Sequence, residues 1–118
     1  MRLKSAIFVA ALVRTANGAG AFAAVRRRGS EEAGAVFVKV ATLDGRAALY
    51  VPAPQSAFDA SFPADRLFRL AVGPERPEAE SEARMAKEVR FDPDLWFVEI
   101  EDREGRSFID VAPEESGS

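Results

Sequence analysis

Three short stretches of this 118-residue chain bring together residue types that do chemistry in other proteins. Gly18-Ala19-Gly20-Ala21-Phe22-Ala23 has the G-x-G-x-x-G/A spacing that lets backbone N–H groups cradle a pyrophosphate at the start of a helix. Arg26-Arg27-Arg28 offers three guanidiniums of the kind that neutralise phosphates. Asp92-Pro93-Asp94 sets two carboxylates close together, the raw material for acid–base work or for holding a cation. A plainer reading competes with each. The dinucleotide pattern needs a second crossover after its next strand, whereas this chain turns straight back at Asp44-Gly45, so the small residues read as close helix packing. Three arginines suit the last turn of a helix, and Glu31 and Glu32 cancel much of their field. Asp92 before proline reads as a helix stop and Asp94 as a strand-entry turn, with too few oxygen ligands nearby for a cation.

What the chain lacks narrows its chemistry further. It has no histidine, which removes the usual general base at neutral pH and the commonest metal ligand. It has no cysteine, which removes thiol nucleophiles and disulfides and fits a reducing, cytoplasmic compartment. No catalytic residue, metal ligand or cofactor is therefore assigned. Net charge is −3, but residues 1–59 hold eight basic and four acidic side chains and residues 60–118 hold eight and fifteen. That asymmetry suits complementary halves or a docking surface more than nucleic acid.

The elements that must position these residues follow from periodicity. AVFVKVATLDGRAALYV (35–51) and LWFVEIEDREGRSFIDV (95–111) align at an offset of 60 with five identities in 17 positions. Each reads as a strand, a tight turn at Gly45 or Gly105, and a second strand. A two-residue loop sets Val40 opposite Leu49 and Val38 opposite Val51, so that Val36, Val38, Val40, Leu49 and Val51 share a face, as do Trp96, Val98, Ile100, Ile109 and Val111. Pro77 to Arg90 reads as a helix, with Glu78, Glu80 and Glu82 early and Lys87 and Arg90 late. Its counterpart is placed at Ala16–Arg28, and the preceding strands at Lys4–Val13 and Leu67–Val72. The start also has features of a secretory signal, with Arg2 and Lys4 before an apolar run, but Ile7, Val9, Leu12 and Phe22 are expected in the core, and no stretch is long enough to span a membrane.

The expected architecture is thus a single α+β domain of two strand-helix-strand-strand repeats, about 3–52 and 67–112, with two helices on a largely antiparallel sheet. Residues 52–66 form a connector carrying Phe58 and Phe62, and 113–118 a frayed tail. GAGAVFVKV, the VPAPQS turn and FDPDLWFVEIEDREGR resemble a small bacterial family known as a domain of unknown function, number 1491. The resemblance covers most of the chain and implies a short stand-alone cytosolic protein with no established activity. Two successive strand-helix-strand-strand units are also similar, in fold alone, to gyrase-inhibitor-like effector-binding domains.

By this register the outer sheet face carries Phe37, Lys39, Tyr50, Phe97, Glu99 and Phe108, too apolar for a bare solvated surface. These six are the candidate binding residues. The connector is expected to cover them, which favours a monomer; a second subunit or a ligand is the alternative. Lys39 and Glu99 are equivalent in the two copies and opposite in sign, so an arrangement that interleaves the copies pairs them. The favoured role is a non-catalytic interaction or regulatory module, with an unknown protein partner. A small-molecule effector domain with a pocket between the repeats is the second reading, and a histidine-free enzyme the third.

Overall fold

Every residue of Val36–Ala41 is buried, the mark of a central strand covered on both faces. In the computed structural model, which describes residues 3–54 and 66–113, this strand is β2. The elements run α1 (Ser5–Gly18), β1 (Phe22–Arg27), β2, β3 (Ala47–Pro52), β4 (Leu67–Val72), α2 (Glu78–Phe91), β5 (Trp96–Glu101) and β6 (Asp110–Val111). They form one six-stranded mixed sheet in the order β1-β5-β2-β3-β4-β6, mostly antiparallel, with β5 parallel to β2 and β6 parallel to β4. The class is α+β, as expected, with two helices on the sheet. Phe58, Phe62 and most of the connector and tail lie outside the described residues.

The helices lie on opposite faces. Val9, Leu12 and Ala16 of α1 pack with Val36, Val38, Val40, Trp96, Val98 and Ile100. Met85 and Val89 of α2 pack with Phe37, Leu49, Val51, Leu95 and Phe97. Strand period two sends alternate side chains of β2 and β5 to the two clusters, which is why both strands read as continuous apolar runs.

The first two elements depart from the sequence reading. The stretch read as a strand over Lys4–Val13 is the start of α1, with Lys4 just before its first residue, and residues 22–27 are a strand rather than the end of a helix. A short run apolar on both sides has no period to separate strand from helix. The tertiary structure decides it at each end. The Ser5 and Ala6 N–H groups donate to the Glu32 and Glu31 carbonyls at 3.1 and 2.9 Å, capping α1 from a loop distant in sequence. At the other end Ala21 N–H donates to Ala16 O at 3.1 Å and Gly20 N–H to Asn17 O at 3.2 Å, with Gly20 at φ 96°, a glycine-terminated helix stop. In helical geometry Val9 and Leu12 stay in the core as expected, but Ile7 is 52% exposed and Phe22 60%. The first unit therefore opens on a helix, not a strand.

β1 is an edge strand, and its edge is occupied locally. The Asn17 side-chain amide accepts from Ala23 N–H at 2.8 Å and donates to Ala23 O at 3.2 Å, standing where another strand's backbone would. A bulge between Val25 and Arg27 shifts the register on the other edge before Arg27 pairs with Phe97.

The first hairpin forms, shifted by one residue. Val38 faces Tyr50 and Val40 faces Ala48, because Thr42 N–H closes on Arg46 O at 3.2 Å around Leu43, Asp44 and Gly45. The Asp44 carboxylate builds this longer loop, accepting from the Thr42 hydroxyl at 2.6 Å and Arg46 N–H at 3.2 Å. One residue of slip exchanges the faces of a strand, so Leu49 and Val51 join the α2 cluster and Tyr50 the α1 cluster. Gly45 sits at φ 89° and Gly105 at φ 74°, the positive values the turn pattern required. An added Cβ at Gly45 would meet nothing within 4 Å, so only backbone strain opposes Gly45→Ala. That change is expected to cost about 1–2 kcal/mol in urea unfolding, and an unchanged midpoint would show that the loop relaxes.

The second hairpin does not form. Both edges of β5 are taken, by β1 antiparallel and by β2 parallel, so the chain after Gly105 has no vacant edge beside it. It crosses instead to the far side, where β6 pairs with β4. The offset of 60 nevertheless has a physical meaning. It is the register in which β2 and β5 lie side by side, Val36 beside Trp96 through Ala41 beside Glu101.

Candidate functional site

Four of the six candidate binding residues come together under α2. Phe37 and Phe97 belong to its apolar cluster, and the parallel register places Lys39 beside Glu99. Tyr50 and Phe108 pack on the opposite face, because of the one-residue slip and the failed second hairpin. The cover over the four is α2, a helix the sequence placed correctly but not over this face.

Lys39 is the buried centre of a charge network whose other members reach the surface. Only 2% of its side chain is exposed. Its Nζ lies 2.6 Å from Glu78 and 3.4 Å from Glu99, and it also donates to Glu82. Glu78 and Glu82 sit at i and i+4 on the same face of α2. Arg26 closes the network from the β1 bulge, reaching Glu82 at 2.9 and 3.0 Å and Glu99 at 2.7 Å, with its guanidinium 4.8 Å over the Phe97 ring. Arg26, Glu78 and Glu82 were missed as members; the i,i+4 glutamates were the available signal.

The electrostatics make this a clamp rather than a reaction centre. Burial works against the charge on Lys39, but hydrogen bonds to Glu78 and Glu82 outweigh it and hold the ammonium above the ordinary lysine range. A nucleophilic or basic lysine needs the opposite shift. Hydrogen bonds from Arg26, and then from Lys39, overcome desolvation and pull Glu82 down to about 2. Such a carboxylate contributes stability above the unfolded value of about 4.3 and loses it as pH falls toward 2. Glu82→Gln is expected to flatten the fall of Tm between about pH 4.5 and 2. The effect is modest because 37% of the Glu82 side chain meets water. An unaltered acid limb would mean the network does not carry acid stability. Asp102, held near 2 by the Arg106 side chain and N–H, loses its charge over the same range and leaves a residual slope.

A second locus lies at the end of the sheet where β5 finishes. A cleft of about 370 Å³ is lined by Gly20, Ala21, Phe22, Leu43 and Glu101 through Glu104, with Arg106. Its apolar members are unusually open, Phe22 at 60% and Leu43 at 48%. Leu43 is held at φ 65°, a region that L side chains seldom adopt. On the rim, Asp102 and Arg106 are locked together by bonds of 2.9 Å, while Arg103 and Glu101 make no ion pair among the described residues. Neither Phe22 nor Leu43 stands out in the sequence as a site, since one read as helix core and the other as a hairpin position.

The remaining chemical stretches resolve structurally. Gly18–Ala23 joins helix to strand, the reverse of the order a phosphate cradle needs. Asp92 accepts the Asp94 N–H at 3.1 Å in the turn between α2 and β5. Among the described residues no group of three acidic side chains is placed to hold a metal, and no helix is long and apolar enough to cross a membrane.

A sheet clamped between one helix on each face, with an ion network around the buried Lys39 and an open terminal cleft, defines a small α+β scaffold. The chain belongs to the family described as protein of unknown function DUF1491, whose model matches residues 3–110. The crystal structure of a DUF1491 family protein from Caulobacter crescentus CB15 is 39% identical, covering 96% of this chain and 100% of that one, with a TM-score of 0.79. The solution structure of protein Atu0922 from A. tumefaciens is 43% identical, covering 99% and 100%, with a TM-score of 0.80. No curated protein matches.

Proposed function

We propose that this protein is a non-catalytic interaction module that docks a protein partner at the cleft of Phe22 and Leu43. One observation carries the reading. A leucine held at positive φ lines the same cleft as an exposed phenylalanine, and backbone outliers of this kind cluster at functional positions. Exposed apolar side chains ringed by charge suit a protein contact, and Arg103 and Glu101 are available to orient it. The charges around Lys39 do not compete for this role, since they are spent on one another. The absence of cysteine supports a cytoplasmic setting.

The test is photo-crosslinking in native cells from a benzophenone residue at position 22. A dominant protein adduct, lost on Leu43→Asp, is expected; adducts indifferent to Leu43→Asp would overturn the reading. The small-molecule alternative draws on the cleft volume, which falls in the size range of ligand pockets. It predicts that a metabolite raises Tm in the wild type and not in Phe22→Asp.

A further inference from the structure

Two walls of the Phe22–Leu43 cleft are tied to the first half of α2. On one side, Leu43 and Gly45 share a loop, and Gly45 O accepts from Glu78 N–H at 2.9 Å. Just beyond it, Ala47 N–H donates to Arg76 O at 3.2 Å, the Ser81 hydroxyl donates to Ala47 O at 3.5 Å, and Arg46 bridges to Pro77. On the other side, Phe22 begins β1, and Arg26 of the same strand binds Glu82.

α2 itself is seated by little apolar surface. Its buried residues are Ser81 and Met85, with Val89 packed against the same cluster. Glu78 and Glu82, on that face, are held by Lys39. A helix seated by one buried apolar side chain and a set of polar bonds opens at lower free energy than β2, all of whose residues are buried.

We propose that α2 controls the cleft. Seated, it fixes the Leu43 loop and β1 in the arrangement that docks a partner; unseated, it releases both. This rests on the docking reading above and adds the regulation of that site. Coupling between separate groups requires an element with two arrangements that both groups bias, and α2 is that element. The bonds at Gly45, Ala47 and Arg26 carry the coupling, because each joins α2 directly to a segment that continues into the cleft wall. Linkage makes the effect reciprocal: a partner in the cleft tightens α2, and loosening α2 weakens the partner by the same factor.

Amide exchange followed by NMR tests the link in the protein alone. Asp44→Ala removes the carboxylate that shapes the Leu43 loop and should speed exchange at Glu78 and Glu82 by about fivefold or more. Glu82→Gln should do the same at Ala47. Phe68→Leu is the control, since Phe68 is buried beside Pro52 at the opposite end of β3. It should lower Tm and leave those three rates near wild type. In cells, the benzophenone adduct from position 22 should fall by about fivefold in Glu82→Gln and persist in Phe68→Leu. Exchange at α2 that ignores Asp44→Ala, exchange at Ala47 that ignores Glu82→Gln, or equal acceleration in Phe68→Leu would overturn the proposal. So would an adduct undiminished in Glu82→Gln yet lost in Leu43→Asp, a result that leaves docking intact. An adduct indifferent to Leu43→Asp removes the docking reading first, and this control with it.

Discussion

Replacing Lys39 with methionine is expected to destabilise the protein by about 3 kcal/mol, among the largest losses any single substitution at a charged residue should cause. The side chain lies in β2 under α2 and balances Glu78, Glu82 and Glu99. Methionine fills much of the space but leaves the three carboxylates with Arg26 alone, and losing the buried cation leaves their charges unbalanced, most of all that of Glu99 at 17% exposure. The figure sits at the low end of the usual range of about 3–5 kcal/mol because Glu78 and Glu82 are partly hydrated. Joined to Glu78→Gln and Glu82→Gln, the same substitution should recover most of the loss, since neutral amides need no counter-charge. Urea unfolding of the single and triple variants measures both. A single-variant loss below about 1 kcal/mol, the scale of a surface pair, would mean the network is solvated and α2 is held by Met85 and its neighbours instead.

Trp96→Ala is expected to cost about 3–5 kcal/mol, the range for deleting a buried aromatic ring. The ring is 2% exposed in the α1 cluster, but the effect should reach beyond its volume. Its Nε1–H donates to the Ser30 carbonyl at 2.7 Å, and its backbone N–H to Ala35 O at 2.7 Å. Both contacts pin the loop after β1. That loop supplies the Glu31 and Glu32 carbonyls that cap α1. Losing the ring should therefore raise hydrogen exchange at the first turn of α1 as well as lower Tm. Trp96→Phe separates the two causes. It keeps most of the packing and removes only the indole's bond to the Ser30 carbonyl, which still accepts from Gly34 N–H at 3.2 Å, for a loss of about 0.5–1.5 kcal/mol. Equal exchange at Ser5 and Ala6 in wild type and Trp96→Ala would refute the coupling.

Several features were legible in the residues because their signals are local. Pro77 and the glutamates after it mark α2 to within a residue of its observed start, since helix termini select proline and acidic side chains by their own backbone chemistry. Leu67–Val72 falls where it was read. Gly45 and Gly105 adopt positive φ because a tight turn demands it whatever surrounds it. The likeness between the two halves was also real, but as the parallel register of β2 and β5 rather than as two copies of one motif. Of the candidate residues, Phe37, Lys39, Phe97 and Glu99 share the face under α2, while Tyr50 and Phe108 pack on the other.

The sequence by itself determined an α+β chain without histidine or thiol chemistry, the second helix, the central strands and the positive-φ turns. Tertiary structure alone decided the rest. Residues 5–18 became a helix because distant carbonyls at Glu31 and Glu32 satisfy its first N–H groups, a contact absent from any local window. Leu49 and Tyr50 exchanged faces because a carboxylate at Asp44 stretched the loop by one residue, and strand period two turns a single residue into a change of side. The second hairpin failed because β1 and β2 already filled both edges of β5. Strand pairing is a competition among all segments for a limited number of edges, and its outcome is written in no one of them.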